Sequence, residues 1–289
     1  MSAAINAAFK ARIARGDALL VPGAANALSA RIIADLGFEA VYLTGAGVNN
    51  MFFGLPDLGF AGLAEIASHA AAIRDATELP LIVDADTGFG NALNVRHTIR
   101  TLERAGASAV QIEDQAMPKR CGHFGGKQVI AAEEMTGKIK AAVDARRDEN
   151  LQIIARTDAR AVLGFEAAVE RAGRYAEAGA DILFVEAPET ESEIRALPGL
   201  LARPQLVNVV VGGKTPVLGF DELKAAGFSL VLYANAALQG AVLGMQTALR
   251  QLRDQGRLDE SAPLASFAER QRLVQKPLFD ALDSAYGDS

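Results

Sequence analysis

The chain has 289 residues, 50% of them hydrophobic and 22% charged, with a net charge of −6. That length fits one large α/β barrel or two modest domains, and the acidic balance gives no electrostatic support for a nucleic-acid partner. A single cysteine excludes an internal disulfide framework and a Cys-rich zinc site, and suits a reducing compartment.

The chain begins with "MSAAINAAFKARIARGDALL", an amphipathic helical pattern broken by charges. It lacks the uninterrupted apolar core of a signal peptide, and no run approaches the ~20 apolar residues of a membrane span. The expectation is a cytoplasmic enzyme, with a binding module as the open alternative.

Eight short apolar runs follow: "ALLVPGA", "EAVYLTGA", "PLIVDAD", "SAVQIED", "LQIIARTD", "DILFVEAP", "QLVNVVVG" and "FSLVLYAN". Between them lie segments such as "LAEIASHAAAIRDAT", "ALNVRHTIRTLERAG", "EEMTGKIKAAVDARR" and "FEAAVERAGRYAEAG". Their apolar residues recur every three or four positions, as in helices that pack one face on a sheet. One junction repeats, in "DLGFEAVYL", "RAGASAVQI", "EAGADILFV" and "AAGFSLVLY", where a glycine ends a helix in the left-handed conformation before a strand begins. About eight such units predict a closed (β/α)₈ barrel. The competing open, doubly wound sheet should carry a glycine-rich phosphate turn, and "VPGAANALSA" matches that fingerprint poorly. The chain is therefore read as a single barrel domain over 1–289, with residues 240–289 a helical extension. The extension has more apolar residues than one barrel helix needs. It either packs on another subunit or simply caps the barrel.

Catalytic groups of a (β/α)₈ barrel sit at the C-terminal ends of its strands. Here those ends carry Asp84 and Asp86, Glu113 and Asp114, Arg156 and Asp158, Glu186 and Asn208. Strand side chains alternate with period two, so Asp84 shares a face with Asp86, and Arg156 with Asp158, whereas Asp114 opposes Glu113. Carboxylates crowded at one mouth repel, and a hard divalent cation resolves that conflict. Mg²⁺ is expected first and Mn²⁺ next. Individual acids could instead cap helices or pair with Arg and Lys. Asp57, in the loop "FGLPDLGF", is either a turn former beside Pro56 or an acid that reaches the metal through water.

After Glu113 the chain runs "DQAMPKRCGHFGGKQVI", a long excursion for a barrel loop and the pattern of a lid. Gly122, Gly125 and Gly126 give it hinge freedom. Lys119, Arg120, His123 and Lys127 make it cationic, which draws it to an acidic site or an anionic substrate. Nearby cations lower a thiol's pKa from ~8.5, so Cys121 is a candidate proton donor or acceptor. A Ser-His-Asp hydrolase is disfavoured: no nucleophile elbow is present, and His69 and His97 lie in helical patterns.

The segments "VDADTGFGNALNV", "IEDQAMPKRCGHFGGK", "IIARTDA" and "YLTGAGV…PDLG" resemble the isocitrate lyase/phosphoenolpyruvate mutase superfamily from about Val21 to Ala236, and "KRCGH" its methylisocitrate and dimethylmalate lyase branch. The resemblance implies a barrel whose last helix is swapped between partners in a homotetramer built from dimers. It implies Asp84 as direct Mg²⁺ ligand, with Asp57, Asp86 and Glu113 holding the ion through water. Tyr42, Thr44, Gly45 and Ala46 would bind the 2-oxo acid part of the substrate. Arg156 would bind a carboxylate, Glu186 and Asn208 would line the pocket, and Cys121 would be the catalytic thiol, with Lys119, Gly122 and His123 around it. The implied reaction is retro-aldol cleavage of a 2-hydroxy di- or tricarboxylate to a 2-oxo acid such as pyruvate. Two departures, Phe124 in place of an arginine and Val211 in place of an acid, predict a more apolar pocket and favour an alkyl-substituted dicarboxylate. Oxaloacetate hydrolysis or decarboxylation, phosphonomutase chemistry, and non-catalytic metabolite binding stay as alternatives.

Overall fold

The computed structural model describes residues 2–122 and 125–287. All eight apolar runs form strands: β1 (Leu19–Ala24), β2 (Val41–Leu43), β3 (Leu81–Asp84), β4 (Ala109–Glu113), β5 (Gln152–Thr157), β6 (Ile182–Val185), β7 (Gln205–Asn208) and β8 (Leu230–Tyr233). Each pairs in parallel with the next, and Leu19 opposite Leu230 closes β1 on β8. The fold is the expected (β/α)₈ barrel.

Period-two alternation sorts its side chains. Val41, Leu43, Leu81, Val83, Val110, Ile112, Ile153 and Leu183 face outward into a core shared with the helices. Leu19, Val21, Tyr42, Ile82, Ala109, Ile154, Ile182, Phe184, Leu206 and Leu230 fill the interior. Phe9 and Ile13 of α1 (Ser2–Ala14) join that inner cluster. Each fully buried residue of this size contributes roughly 1.5–3 kcal/mol. Gly23 belongs where it is, because a Cβ there would collide with the backbone of Ala234.

The barrel helices are α2 (Ala27–Asp35), α4 (Leu63–Ala76), α5 (Ala92–Arg104), α6 (Ala132–Ala145), α8 (Phe165–Glu177), α9 (Glu191–Leu200), α10 (Phe220–Ala226) and α11 (Ala236–Gln255). Short turns α3 (Gly45–Val48) and α7 (Arg160–Leu163) follow β2 and β5. The four repeated junction glycines, Gly37, Gly106, Gly179 and Gly227, all have φ between +80° and +108°. That is the left-handed ending the sequence predicts.

Beyond β8 the packing changes. Helix α11, with α12 (Phe267–Leu273) and α13 (Lys276–Tyr286), has no buried residue. Leu243, Leu249, Phe267 and Phe279 are exposed. Arg272 ties α12 back to Asp35 of α2 through two bonds of 2.6 and 2.7 Å. No helix among the described residues is long and apolar enough to cross a membrane.

Candidate active site

Parity along the strands puts polar groups at one end of the apolar interior. Asp84, Gln111, Glu113, Arg156 and Glu186 are all buried there. A cavity at this end is lined by Tyr42, Thr44, Ala46, Asp57, Asp84, Lys119, Cys121, Gly122, Arg156, Glu186 and Asn208. With these groups in place the cavity measures about 50 Å³.

Each element delivers its groups by a different local device. β2 runs into Thr44, whose Oγ1 accepts the Gly47 amide at 3.2 Å and caps α3. This turns Gly45 so that its N–H donates to Asp84 Oδ2 at 3.3 Å. Asn49 braces the turn, donating to the Gly45 carbonyl and accepting from Ala61, both at 3.0 Å.

Asp86 reaches the site by another route than the expected alternation. β3 ends at Asp84, and Asp86 lies past it with φ +45°, in the left-handed region. Its amide donates to Asp84 Oδ1 at 3.2 Å. The turn, not the pleat, returns Asp86 to the face of Asp84. Burial and Asp84 raise the Asp86 carboxyl to about 7, although Lys119 pulls the other way.

Glu113 Oε2 stands 3.3 Å from Arg156 Nε, and Glu186 Oε1 stands 3.8 Å from Arg156 Nη2. Burial pushes Glu113 well above the usual carboxylate range, against the pull of Arg156. The Arg156 guanidinium lies over the Phe184 ring at 5.3 Å. Burial also raises Tyr42 well above its ordinary value, which keeps its hydroxyl protonated and able to donate. Asp114 faces outward, as expected, and accepts from Thr157, Tyr175 and Arg171 at 2.7, 2.8 and 3.2 Å.

The loop between β4 and α6 has a pinched neck. Ala116 donates to the Gln128 carbonyl at 2.8 Å and Ile130 to that of Asp114 at 2.9 Å. Inside the neck the Gln115 side chain clamps the Arg120 backbone, at 2.8 and 2.9 Å. The tip lies over the barrel mouth: Lys119, Cys121 and Gly122 all line the cavity. A Cβ on Gly122 would sit well inside van der Waals contact with Glu186. His123 and Phe124 lie outside the described residues.

Lys119 goes deeper than a surface cation of a lid would. Its ammonium pairs with Asp57 and, at 2.8 Å, with Asp86. Asp86, Glu113, Asp57 and Asp84 together raise its pKa, outweighing its burial. Among the described residues no three of the acids stand ready-spaced as a metal cage; Asp57 and Asp86 face the Lys119 ammonium, and Glu113 faces Arg156. The Oε1 atoms of Glu113 and Gln111 are buried without hydrogen-bond partners. A group that accepts several oxygen donors would satisfy them.

Three departures from the sequence reading stand out. Val210, not Val211, lines the cavity; Val211 is 63% exposed. Lys127 does not face the mouth but pairs with Asp158. Gln111 and Asn235 belong to the site and were missed. Gln111 donates to Asp84 Oδ1 at 3.3 Å, and Thr44 Oγ1 donates to Asn235 Oδ1 at 3.4 Å. Both had a signal: Gln111 has the parity of Glu113, and Asn235 closes the last strand run. His69 and His97 lie on α4 and α5, and neither lines the cavity.

Residues 9–253 match the family model of phosphoenolpyruvate phosphomutase. The chain is 46% identical over 227 residues to 2,3-dimethylmalate lyase of Eubacterium barkeri, spanning 78% of each protein. It is 46% identical over 244 residues to 2-methylisocitrate lyase of Aeropyrum pernix, spanning 84% of this chain and 78% of that one. A crystal structure of 2,3-dimethylmalate lyase matches with a TM-score of 0.92 at 32% identity, over 98% of this chain and 95% of that one. Phosphonopyruvate hydrolase in complex with oxalate and Mg²⁺ matches with a TM-score of 0.86 at 30% identity, over 98% and 99%. A barrel with this rim, matched along most of its length, leaves one conclusion: the chain belongs to the phosphoenolpyruvate mutase/isocitrate lyase superfamily.

Proposed function

We propose that the chain is a Mg²⁺-dependent carbon–carbon lyase. Its substrate is a 2-hydroxy di- or tricarboxylate, an alkyl-substituted malate or a methylisocitrate-like acid, and it releases a 2-oxo acid such as pyruvate. The observation that carries this reading is the position of Cys121: a thiol lines the same cavity as Asp84, Arg156 and Glu186. Phosphonomutase chemistry has no need of a thiol there.

The acids fit a hard cation. Asp84 would hold it directly, and Asp57, Asp86 and Glu113 through water; the unpartnered Glu113 and Gln111 oxygens support a polar occupant. Bound there, Mg²⁺ (or Mn²⁺) supplies positive charge to the oxygens of the 2-oxo acid as they form. Lys119 must then share or cede its carboxylates. The neighbouring hydrolase structure with oxalate and Mg²⁺ supports this choice of ion.

The remaining steps belong to the chain's own groups. Thr44, Gly45 and Ala46 orient the 2-oxo end, with Tyr42 donating a hydrogen bond. Removal of the hydroxyl proton turns C–OH into C=O as the adjacent C–C bond breaks, and the bonding pair moves to the α-carbon of the other carboxylate. Arg156, aligned by Glu113 and Glu186, faces that developing charge. Cys121 gives its proton to the carbon and becomes a thiolate; the hydroxyl proton, taken up by a carboxylate of the rim, returns to the thiolate when the loop opens, so protons balance over the cycle. The loop over the mouth excludes bulk water. Asn208 and Val210 complete the wall around the alkyl group.

Residues 240–289 form an oligomerisation arm in this reading, with α11 exchanged between copies in a homotetramer. Its exposed Leu243 and Leu249 support that. The lone thiol suits the reducing cytoplasm. A screen for pyruvate release over substituted malates, methylisocitrate and oxaloacetate, with Mg²⁺, tests the activity. Release from an alkyl-substituted acid that disappears in Cys121→Ser is expected. Full turnover in Cys121→Ser would overturn the mechanism, and a monomer in sedimentation velocity would overturn the arm.

A further inference from the structure

Among the described cations of the loop, Lys127 is the one that leaves the mouth. It is 8% exposed, and its ammonium donates to Asp158 Oδ1 at 2.7 Å and to the Gly122 carbonyl at 2.5 Å. Asp158 also receives the Arg156 guanidinium in a fork, Nε on Oδ2 at 2.9 Å and Nη2 on Oδ1 at 3.0 Å. These two cations hold the Asp158 carboxyl below its ordinary value in spite of complete burial. Asp158 is itself anchored: its amide donates to Asp114 Oδ1 at 2.8 Å, and Asp114 is tied to Thr157, Tyr175 and Arg171. One fixed carboxylate therefore grips the site arginine from one side and the loop from the other.

We propose that Lys127 is a positioning residue for the reaction, a latch that ties the seated position of Cys121 and Gly122 to Asp158 and so to the orientation of Arg156. This rests on the lyase reading above. The geometry suits two states. With the loop seated, Lys127 makes two charge-assisted bonds away from water, one of them to the residue next to the thiol. With the loop out, the ammonium regains water while Asp158 keeps its forked arginine, so no buried charge is stranded. The second of these bonds falls on the Gly122 carbonyl, the backbone group beside the proton donor, which couples the ion pair to the loop tip.

The test compares wild type with Lys127→Met and Lys127→Gln. The probe is alkylation of Cys121, the only cysteine, by iodoacetamide in the presence of Mg²⁺ and oxalate. Alkylation is expected to run about tenfold faster in Lys127→Met, with kcat reduced about 10- to 100-fold and oxalate affinity by calorimetry within about threefold of wild type. Lys127→Gln keeps a donor for the Gly122 carbonyl but not the charge; it should fall between, and it carries the comparison if the methionine variant does not fold. Wild-type alkylation rates in both variants would overturn the latch. So would a loss of oxalate affinity and melting temperature in step with kcat, which is the signature of a merely structural ion pair. If wild type turns over no 2-hydroxy acid, the lyase reading falls, and the alkylation rates still decide the latch.

Discussion

The two ends of the barrel use the same strands for opposite purposes. At the closed end the inward positions are Leu19, Ala109, Ile154, Ile182 and Leu230, sealed by Phe9 and Ile13. Two to four residues further along, the inward positions become Asp84, Glu113, Arg156 and Glu186. Asp84, Glu113 and Arg156 still lie on the strands, and Glu186 follows directly on β6. The floor gains stability from dispersion and the removal of apolar surface from water. The rim carries buried charges that a stability-optimised protein would replace with apolar groups. The teaching is a division of labour, in which rim substitutions should cost turnover with little loss of stability, and floor substitutions the reverse.

The sharpest way to break that division is Asp84→Asn. It is nearly isosteric and relieves repulsion with Asp86, while its amide nitrogen forfeits one of the hydrogen bonds that the two Asp84 oxygens accept, so the effects offset and the melting temperature should stay within a few degrees of wild type. Turnover should fall by roughly 10³- to 10⁴-fold, and Mg²⁺ binding by calorimetry should vanish, since the variant neutralises the carboxylate proposed as the direct ligand. A variant that binds the ion and turns over normally would end the assignment of Asp84. At the floor, Phe9→Ala removes a ring that is 1% exposed. It should cost about 3–5 kcal/mol in chemical denaturation while leaving kcat of the folded fraction unchanged.

How much of this could be read from residues alone follows from how local each feature is. The eight strands and the four left-handed junction glycines were legible because alternation and helix endings are encoded within a few positions. The convergence of Asp84, Glu113, Arg156 and Glu186 was legible because parity and the rule for strand ends need no distances. What escaped depends on long-range packing. The sequence shows Lys119 and Lys127 only as two cations of one loop. The fold sends the first among Asp57 and Asp86 and the second to Asp158, a residue 31 positions away. Asp86 reached its expected place through a left-handed turn that alternation does not describe.

Gly122→Ala probes the rim at a single atom. The added methyl would run into the Glu186 side chain, so the loop tip must lift or Glu186 must move. Turnover should drop about 100-fold, in line with small displacements of reacting groups elsewhere. The melting temperature should hold, because the loop tip contributes little to the core. An unchanged kcat would mean that the tip does not seat against Glu186 during catalysis.

The smallest effect comes from two adjacent valines and separates the rim from its surroundings most finely. Val210 lines the cavity and Val211 is exposed, so only the first should touch a substrate. Val210→Ser exchanges apolar wall for a hydroxyl, and a pocket contact of that size is worth about 1–3 kcal/mol. The kcat/KM for an alkyl-substituted malate should therefore fall about tenfold relative to unsubstituted malate, read in a direct competition assay. Val211→Ser should leave the ratio untouched, although the sequence alone pointed to that position. If the two variants behaved in the opposite way, the segment after β7 would have to rearrange when substrate binds, and the apolar wall would belong to the other valine.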